Sequence, residues 1–548
     1  RVVIISLLFG ALSIGGHAAA RADDRCDLLL KGGHVVDGTG APWYVADIAV
    51  RGSEIVAIGK LNRLPAGRVV DVTGLYVAPG FIDMMGQTGA PLLKNPRAAD
   101  NLLTQGITTL NAGEGTSDAP LDAKSAQAAG WKTMAEYLSA LDKAGLPLNV
   151  VQTVGHTQVR RIVLGDVDRQ ADAGELERMK DLVREAMEAG AIGLSTALIY
   201  PPAVYATTDE IAALARVAGE YGGTYFTHMR NEGDRLLEAL DEALAIGKTA
   251  GAPVHIFHLK AAGHANWPKL EQAIARIKAA RAAGQQVTAD IYPYVHNGLG
   301  LESFLHPRHA AQGAEALHRK LEDPSSRAAM RLEMETTGGW ENWYRHIGAD
   351  WDNVILGQIR AKEYAGHTGK SLGQIAREAG QDPWDVFFTI VAAGASALPR
   401  SMSEANVIKA MREDFTSFCT DMGPLESGDA LVHPRGSGAF PRILARYVRE
   451  LGVVSLEQAI ARMTSFAAND LKLHDRGRIA VGTAADLVVL DPARVRDRST
   501  FSQPTLTADG IVHVLVNGRF VIDHGKSTPE RPGRVLRRPG SIGRARSD

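Results

Sequence analysis

Between residues 149 and 300 the chain repeats one unit: a short apolar run, then a stretch whose apolar residues recur at helical spacing. NVVQTVGH precedes GELERMKDLVREAMEAG, and AIGLSTALIY precedes a helix opening at Thr207, where TTDE offers a capping box with Glu210. GTYFTHMR leads into a helix with Leu236, Leu237, Leu240, Ala243 and Leu244 on one face. VHIFHLK is followed by NWPKLEQAIARIKAARAAG, and QVTADIYPY is the next strand. Strand and helix units in such a row argue for a parallel sheet, and the total span predicts an α/β fold of the TIM-like (β/α)8 barrel type. A doubly wound sheet is the alternative, but neither a Gly-rich dinucleotide loop nor GxxxxGK[ST] accompanies it.

Both ends of the chain have a different texture. LLLKGGHVVDG and DIAVRGSEIVAIG read as strands, the latter a hairpin through Arg51-Gly52-Ser53, and GRIAVGTAADLVVLD and GIVHVLVNGRFVIDHGK repeat the pattern, with an Asn517-Gly518 turn. The two ends are expected to build one small β-sandwich from residues 23–77 and 477–535, flanking a barrel of residues 78–300 and 416–476. Residues 301–415, charged and carrying GGWENWYRHIGADW, read as an inserted lid with late barrel elements at its edges. After Glu530 the chain is basic and punctuated by Pro and Gly, so a loosely ordered tail is expected, with 536–548 as its end. Residues 1–22 have the layout of a signal peptide, with cleavage after Ala22, which places the mature protein in the periplasm or outside the cell.

The balance of 60 basic and 62 acidic residues creates no global field for nucleic acid, and no segment has the length of a comfortable membrane span, so a small-molecule partner is expected. Two cysteines, Cys26 and Cys419, exclude a disulfide framework and leave one long-range bridge open. A homo-oligomer would be unsurprising.

In such a barrel the reactive groups sit where strands end. Five such places stand out: Glu114 after ITTLNAG, His156 after VVQTVG, His228 after TYFT, His258 after HIF, and Asp421 after TSFCT. His228 and His258 lie one strand-helix-strand repeat apart, so both imidazoles emerge at one rim, a placement suited to Zn²⁺. Glu114 is the candidate third ligand, against a solvated loop carboxylate. Asp421 could take a proton from an activated water and hand it to a leaving nitrogen, or simply cap the next helix.

These residues lie in a series of motifs: VVDGTGAPWYVADIAVRG, VAPGFID, QGITT, VGH, GLSTALIYPP, THMRNEGDRLLEAL, HLKAAG, ADIYPY, HPRGSGAFPRILARYVRE and GRIAVGTAADLVVLD. In that order they resemble the amidohydrolase superfamily, and within it the N-acyl-D-amino-acid deacylases, along nearly all of residues 27–535. The resemblance implies zinc-assisted hydrolysis of an N-acyl-D-amino acid, with His228 and His258 as metal ligands and Asp421 as catalytic acid/base. It also implies that Lys260, Tyr292 and Arg435 hold the substrate carboxylate, with Tyr200 near the scissile carbonyl. Lys260, two residues past His258 on a strand-like segment, should point to the same side. His156 is expected to line the pocket and orient substrate.

The chain departs from that family twice. Met85 and Gln87 stand where it has His-x-His, and Gly113-Glu114-Gly115 stands where many members place a cysteine ligand. Neither methionine nor glutamine suits a second Zn²⁺, so one zinc per chain is expected, held by Glu114, His228 and His258. An amidohydrolase acting on a dipeptide, cyclic amide or aromatic conjugate is the alternative, the Trp-rich lid permitting an aromatic group. A non-catalytic binding protein on the same fold is the third reading.

Overall fold

The computed structural model describes residues 25–425 and 433–541. The signal-like segment 1–22 and residues 542–548 lie outside the described residues.

Eight parallel strands form the central barrel among the described residues. Phe81–Gly86, Ile107–Ala112 and Asn149–Gln152 pair in order; the third resumes as Val154–Gly155 and pairs with Gly193–Ala197, followed by Thr224–His228, Val254–Ile256, Val287–Ile291 and Thr416–Phe418. The last strand returns to the first: Thr420 donates its backbone N–H to Asp83 (2.9 Å), and Asp421 donates its own to the Met85 carbonyl (3.0 Å). Phe81–Gly86, Ile107–Ala112 and Gly193–Ala197 are buried at every position. That is the pattern of strands covered on both faces, and it explains their continuous rather than alternating apolarity.

The helices follow the spacing read from the sequence. Leu236–Ala250 buries Leu236, Leu240 and Ala243 against the barrel. Thr207 caps the helix Thr208–Glu220 by accepting the Glu210 N–H (3.2 Å), but the expected capping box is only half made. The Glu210 carboxylate is turned inward to His156 and Arg160 instead.

The two chain ends join in one nine-stranded sheet rolled over a core that includes Leu28, Ile48, Leu487 and Leu515. Leu487–Leu490, from the C-terminal end, pairs antiparallel with Tyr76–Pro79. Glu54–Gly59 closes the roll through bonds from Ile55 and Ala485 to Thr483 and Ser53. Asn517 and Gly518 both take positive φ (45° and 78°), as the two-residue turn requires. Cys26 lies in this sheet and Cys419 follows the last barrel strand; both thiols are buried and free, so the bridge left open by the sequence is not made.

The insertion begins slightly before residue 301. Leu299–Gly300, Val354–Ile359 and Ala395–Pro399 form an antiparallel sheet over the barrel mouth. Trp340, Trp343, Trp351 and Trp384 are buried in the core of this lid, so the indoles serve mainly its own packing. The helix Glu404–Arg412 then leads into the last barrel strand.

The tail differs from expectation. Gly533 donates to the Leu146 carbonyl (2.7 Å), Val150 to Arg534 (3.0 Å), Leu536 to Val150 (2.8 Å) and Arg538 to Gly190 (3.1 Å). Gly533 to Leu536 thus pair with backbone groups at the start of the third barrel strand and Arg538 with the end of the helix before the fourth, and that satisfaction anchors a segment whose composition alone suggests looseness.

Candidate metal centre

Each site residue is placed by the end of a barrel strand. The Gly113-Glu114-Gly115 turn follows the second strand with positive φ at both glycines (105° and 67°). A Cβ at Gly113 would collide with the Thr153 hydroxyl, and one at Gly115 with the Ala197 backbone, so the turn admits only glycine on either side of Glu114. His228 ends the fifth strand. His258 does not continue the sixth: it takes φ 36°, a left-handed conformation that costs a non-glycine residue free energy, and its N–H is held by Asp290 (2.6 Å). Asp421 is likewise left-handed (φ 51°).

Three donor atoms converge there. Glu114 Oε1 lies 2.8 Å from His228 Nδ1 and 3.1 Å from His258 Nε2. The two imidazoles meet edge to face with centroids 4.5 Å apart. A zinc ion at 2.0–2.1 Å from tetrahedral ligands would set its donors ~3.3 Å apart; the two carboxylate–imidazole separations lie within a few tenths of an ångström of that, and all three donor atoms lie within 4.8 Å of one another. His228 Nε2 is buried with no hydrogen-bond partner among the described residues. Burial pushes Glu114 up, but hydrogen bonds and charge from both histidines outweigh it and hold the carboxyl well below the usual range.

Two further groups close on this cluster. Gln87 Nε2 donates to Glu114 Oε2 and to Asp421 Oδ1, each at 2.8 Å. Asp421 Oδ2 pairs with Arg435 Nη1 at 2.6 Å. Burial raises the Asp421 pKa; Arg435 opposes the rise and the Glu114 charge adds to it. Met85 is a fully buried wall of the first strand.

Lys260 reaches the site, though not by strand alternation. Phe257 and His258 form a turn, and the left-handed His258 brings the Lys260 ammonium to 2.6 Å from His258 Nδ1 and 2.6 Å from Glu232 Oε1. Arg435 stacks over the Tyr292 ring at 4.5 Å, Lys260 stands 5.9 Å from the same centroid, and the Tyr292 hydroxyl has no partner among the described residues. Tyr200 meets His228 edge-on at 5.7 Å. Above these groups opens a cavity of about 680 Å³ reaching to the lid sheet, lined by Gln87, Tyr200, Arg360, Asp421 and Arg435 among others. A separate cavity of about 540 Å³, lined by Tyr205, Arg230 and Trp340, contains none of these site groups.

His156 is not in this pocket. It opens the helix His156–Leu164, is fully buried, and points its Nε2 at Glu210 (2.9 Å) beside Arg160. The helix turns the ring behind the strand end, so the expectation that it orients substrate is corrected. Glu232 has the opposite history. Sequence reading passed over it within THMRNEGD, yet it is 1% exposed and contacts His258 Nδ1 (3.0 Å), Lys260 and, at 3.5 Å, His228 Nε2. Its position four residues after one ligand is the signal that could have found it. His433, whose Nδ1 accepts the Arg435 N–H (3.0 Å), was also missed.

Comparison with known proteins identifies the family. A family model described as "Amidohydrolase family" matches residues 68–522. An N-acyl-D-glutamate deacylase of Alcaligenes xylosoxydans xylosoxydans is 36% identical over 95% of this chain and 98% of that protein. Among solved structures, N-acyl-D-glutamate deacylase from Bordetella bronchiseptica, complexed with zinc and a phosphonate mimic of the tetrahedral intermediate, matches with a TM-score of 0.80 at 33% identity, over 94% of this chain and all of that one. A D-aminoacylase described as having a binuclear metal centre, with one-metal activation and second-metal attenuation, matches with a TM-score of 0.78 at 35% identity, again over 94% of this chain and all of that one. The chain belongs to the amidohydrolase family, in its D-aminoacylase branch.

Proposed function

We propose that this protein is a one-zinc deacylase that hydrolyses N-acyl-D-amino acids to a carboxylate and a free D-amino acid. The observation that carries the reading is the convergence of Glu114, His228 and His258 on one point beside Asp421. A zinc ion held by those three residues would polarise the amide carbonyl and acidify a water molecule.

The remaining work falls to the chain. Lys260, Arg435 and the Tyr292 hydroxyl, which has no partner among the described residues, make a cationic corner suited to the substrate carboxylate, with the Arg435 guanidinium its planar donor. Asp421, buried and raised in pKa, accepts a proton at one carboxylate oxygen and delivers it to the leaving nitrogen. Arg435 and Gln87 hold its two oxygens in fixed directions. The lid sheet contributes Leu299, Gly300, Gln358 and Leu398 to the wall of the cavity.

The test is rigorous chelation followed by an assay for release of free amino acid from N-acyl-D- and N-acyl-L-amino acids. Turnover of the D series should vanish without metal and return with one equivalent of zinc; undiminished turnover after chelation refutes the reading. The signal-like residues 1–22 support export to the periplasm or beyond, and cell fractionation that found the protein in the cytoplasm would refute that part.

A further inference from the structure

We propose that Gln87 stands in for a second cation, its carboxamide nitrogen tying Glu114 to Asp421 and limiting the centre to one metal ion. The proposal rests on the one-zinc reading above and explains how this chain enforces it.

The argument is one of donors and acceptors. Gln87 Nε2 lies 2.8 Å from Glu114 Oε2 and 2.8 Å from Asp421 Oδ1. Two carboxylate oxygens face this nitrogen, so the amide must present its NH₂ and not its carbonyl, and an NH₂ has two hydrogens for two acceptors. Glu114 is thereby divided: Oε1 serves His228 and His258, while Oε2 is covered by Gln87. A cation bridging the two carboxylates would need the atoms that the amide already holds.

The surrounding geometry leaves no easy alternative. Asp421 Oδ2 is taken by Arg435 (2.6 Å), and the Asp421 N–H is bonded to the Met85 carbonyl (3.0 Å), so the aspartate is tied to the strand that leads to Gln87. Met85, two residues before Gln87, is fully buried and offers only a thioether, a soft and weak ligand. Where a second metal would draw the two carboxylates together by charge, here a neutral amide does so by hydrogen bonding. Gln87 is therefore a positioning residue, acting on Asp421 and Glu114.

The experiment counts metal on the full chain. Protein equilibrated with excess zinc and then desalted should carry one zinc per chain by elemental analysis, and the M85H/Q87H double variant should carry two. Two zinc ions in the unaltered protein, or no rise in a double variant that melts cooperatively, overturns the proposal. The Gln87→Leu variant should keep one zinc and nearly the same KM while kcat falls about 10–100-fold, the usual cost of losing a group that orients a ligand shell. An unchanged kcat overturns the positioning role. Failure of the functional reading looks different: one zinc in the unaltered protein with no turnover of N-acyl amino acids refutes the substrate and leaves this inference supported, whereas no zinc at all overturns both.

Discussion

Substituting Glu232 by glutamine should uncouple the metal centre from its support. The carboxylate is 1% exposed and faces three nitrogens: Lys260 Nζ at 2.6 Å, His258 Nδ1 at 3.0 Å and His228 Nε2 at 3.5 Å. Those cationic and imidazole neighbours hold it below the ordinary carboxylate range against the penalty of burial. Glutamine keeps the shape but removes the charge, leaving the Lys260 ammonium, itself 2% exposed, without its only close anion among the described residues. Breaking a buried pair from one side costs about 3–5 kcal/mol, and the lower end applies because the amide oxygen still accepts and the lysine can shed its proton. Loss of the partner to His258 Nδ1 should also weaken zinc binding by about 10–100-fold. Urea unfolding of the metal-free protein and zinc titration against a competing chelator would measure the two effects separately. Glu232→Gln with Lys260→Met removes both charges, so the double variant should regain most of the stability without regaining zinc affinity. A single variant within about 0.5 kcal/mol of the parent, inside the ordinary range for substitutions away from such features, or a double variant no more stable than the single, would refute the reasoning.

The site and fold carry further expectations. Asp421→Asn should lower kcat by about 10²–10⁴-fold, the range for losing a general acid/base, while elemental analysis still finds zinc; full retention of kcat would remove Asp421 from proton transfer. His156→Gln should leave KM within error and lower the melting temperature, because the ring supports Glu210 and not the substrate; a selective rise in KM would restore it to the pocket. His255 lies between Asp290 (2.9 Å) and Asp470 (2.7 Å), and although burial opposes its charge, the two carboxylates raise it to about 9. Its stabilising contribution is fully present below the unfolded value of about 6.5 and is lost as pH rises through about 9, up to roughly 3 kcal/mol. Urea midpoints that fall between pH 6.5 and 9.5, and flatten in His255→Gln, would agree; a rising midpoint would not.

What was legible in the sequence follows from what period and position encode. The alternation of strand and helix specified the barrel because each apolar run is buried on both faces, and the strand ends marked Glu114, His228, His258 and Asp421, which the structure brings together. Direction within a turn is not encoded by period. Lys260 was placed by strand alternation, yet reaches the site through a left-handed His258, and His156 begins a helix whose first turn carries its ring away. The tail shows the same limit from the other side: its basic, Pro- and Gly-rich composition says nothing of unsatisfied carbonyls and amides on a strand 380 or so residues earlier in the chain, and those groups decide its order.

Glu232 exposes the more instructive gap. An acidic residue in a polar loop reads as solvated because carboxylates are rarely buried without partners, and its partners here are His228 at the end of its own strand and His258 and Lys260 after the next, which only the folded barrel brings near. The same reasoning applies to Gln87. As a missing histidine it suggests decay, but decay carries no requirement that the replacement present two N–H groups to the two carboxylates beside it. A leucine or alanine at residue 87 would leave Glu114 Oε2 and Asp421 Oδ1 facing each other without a donor between them, a repulsion that burial makes larger. The amide removes that repulsion, so the loss of the histidines and the identity of their replacement are one solution to a single electrostatic problem.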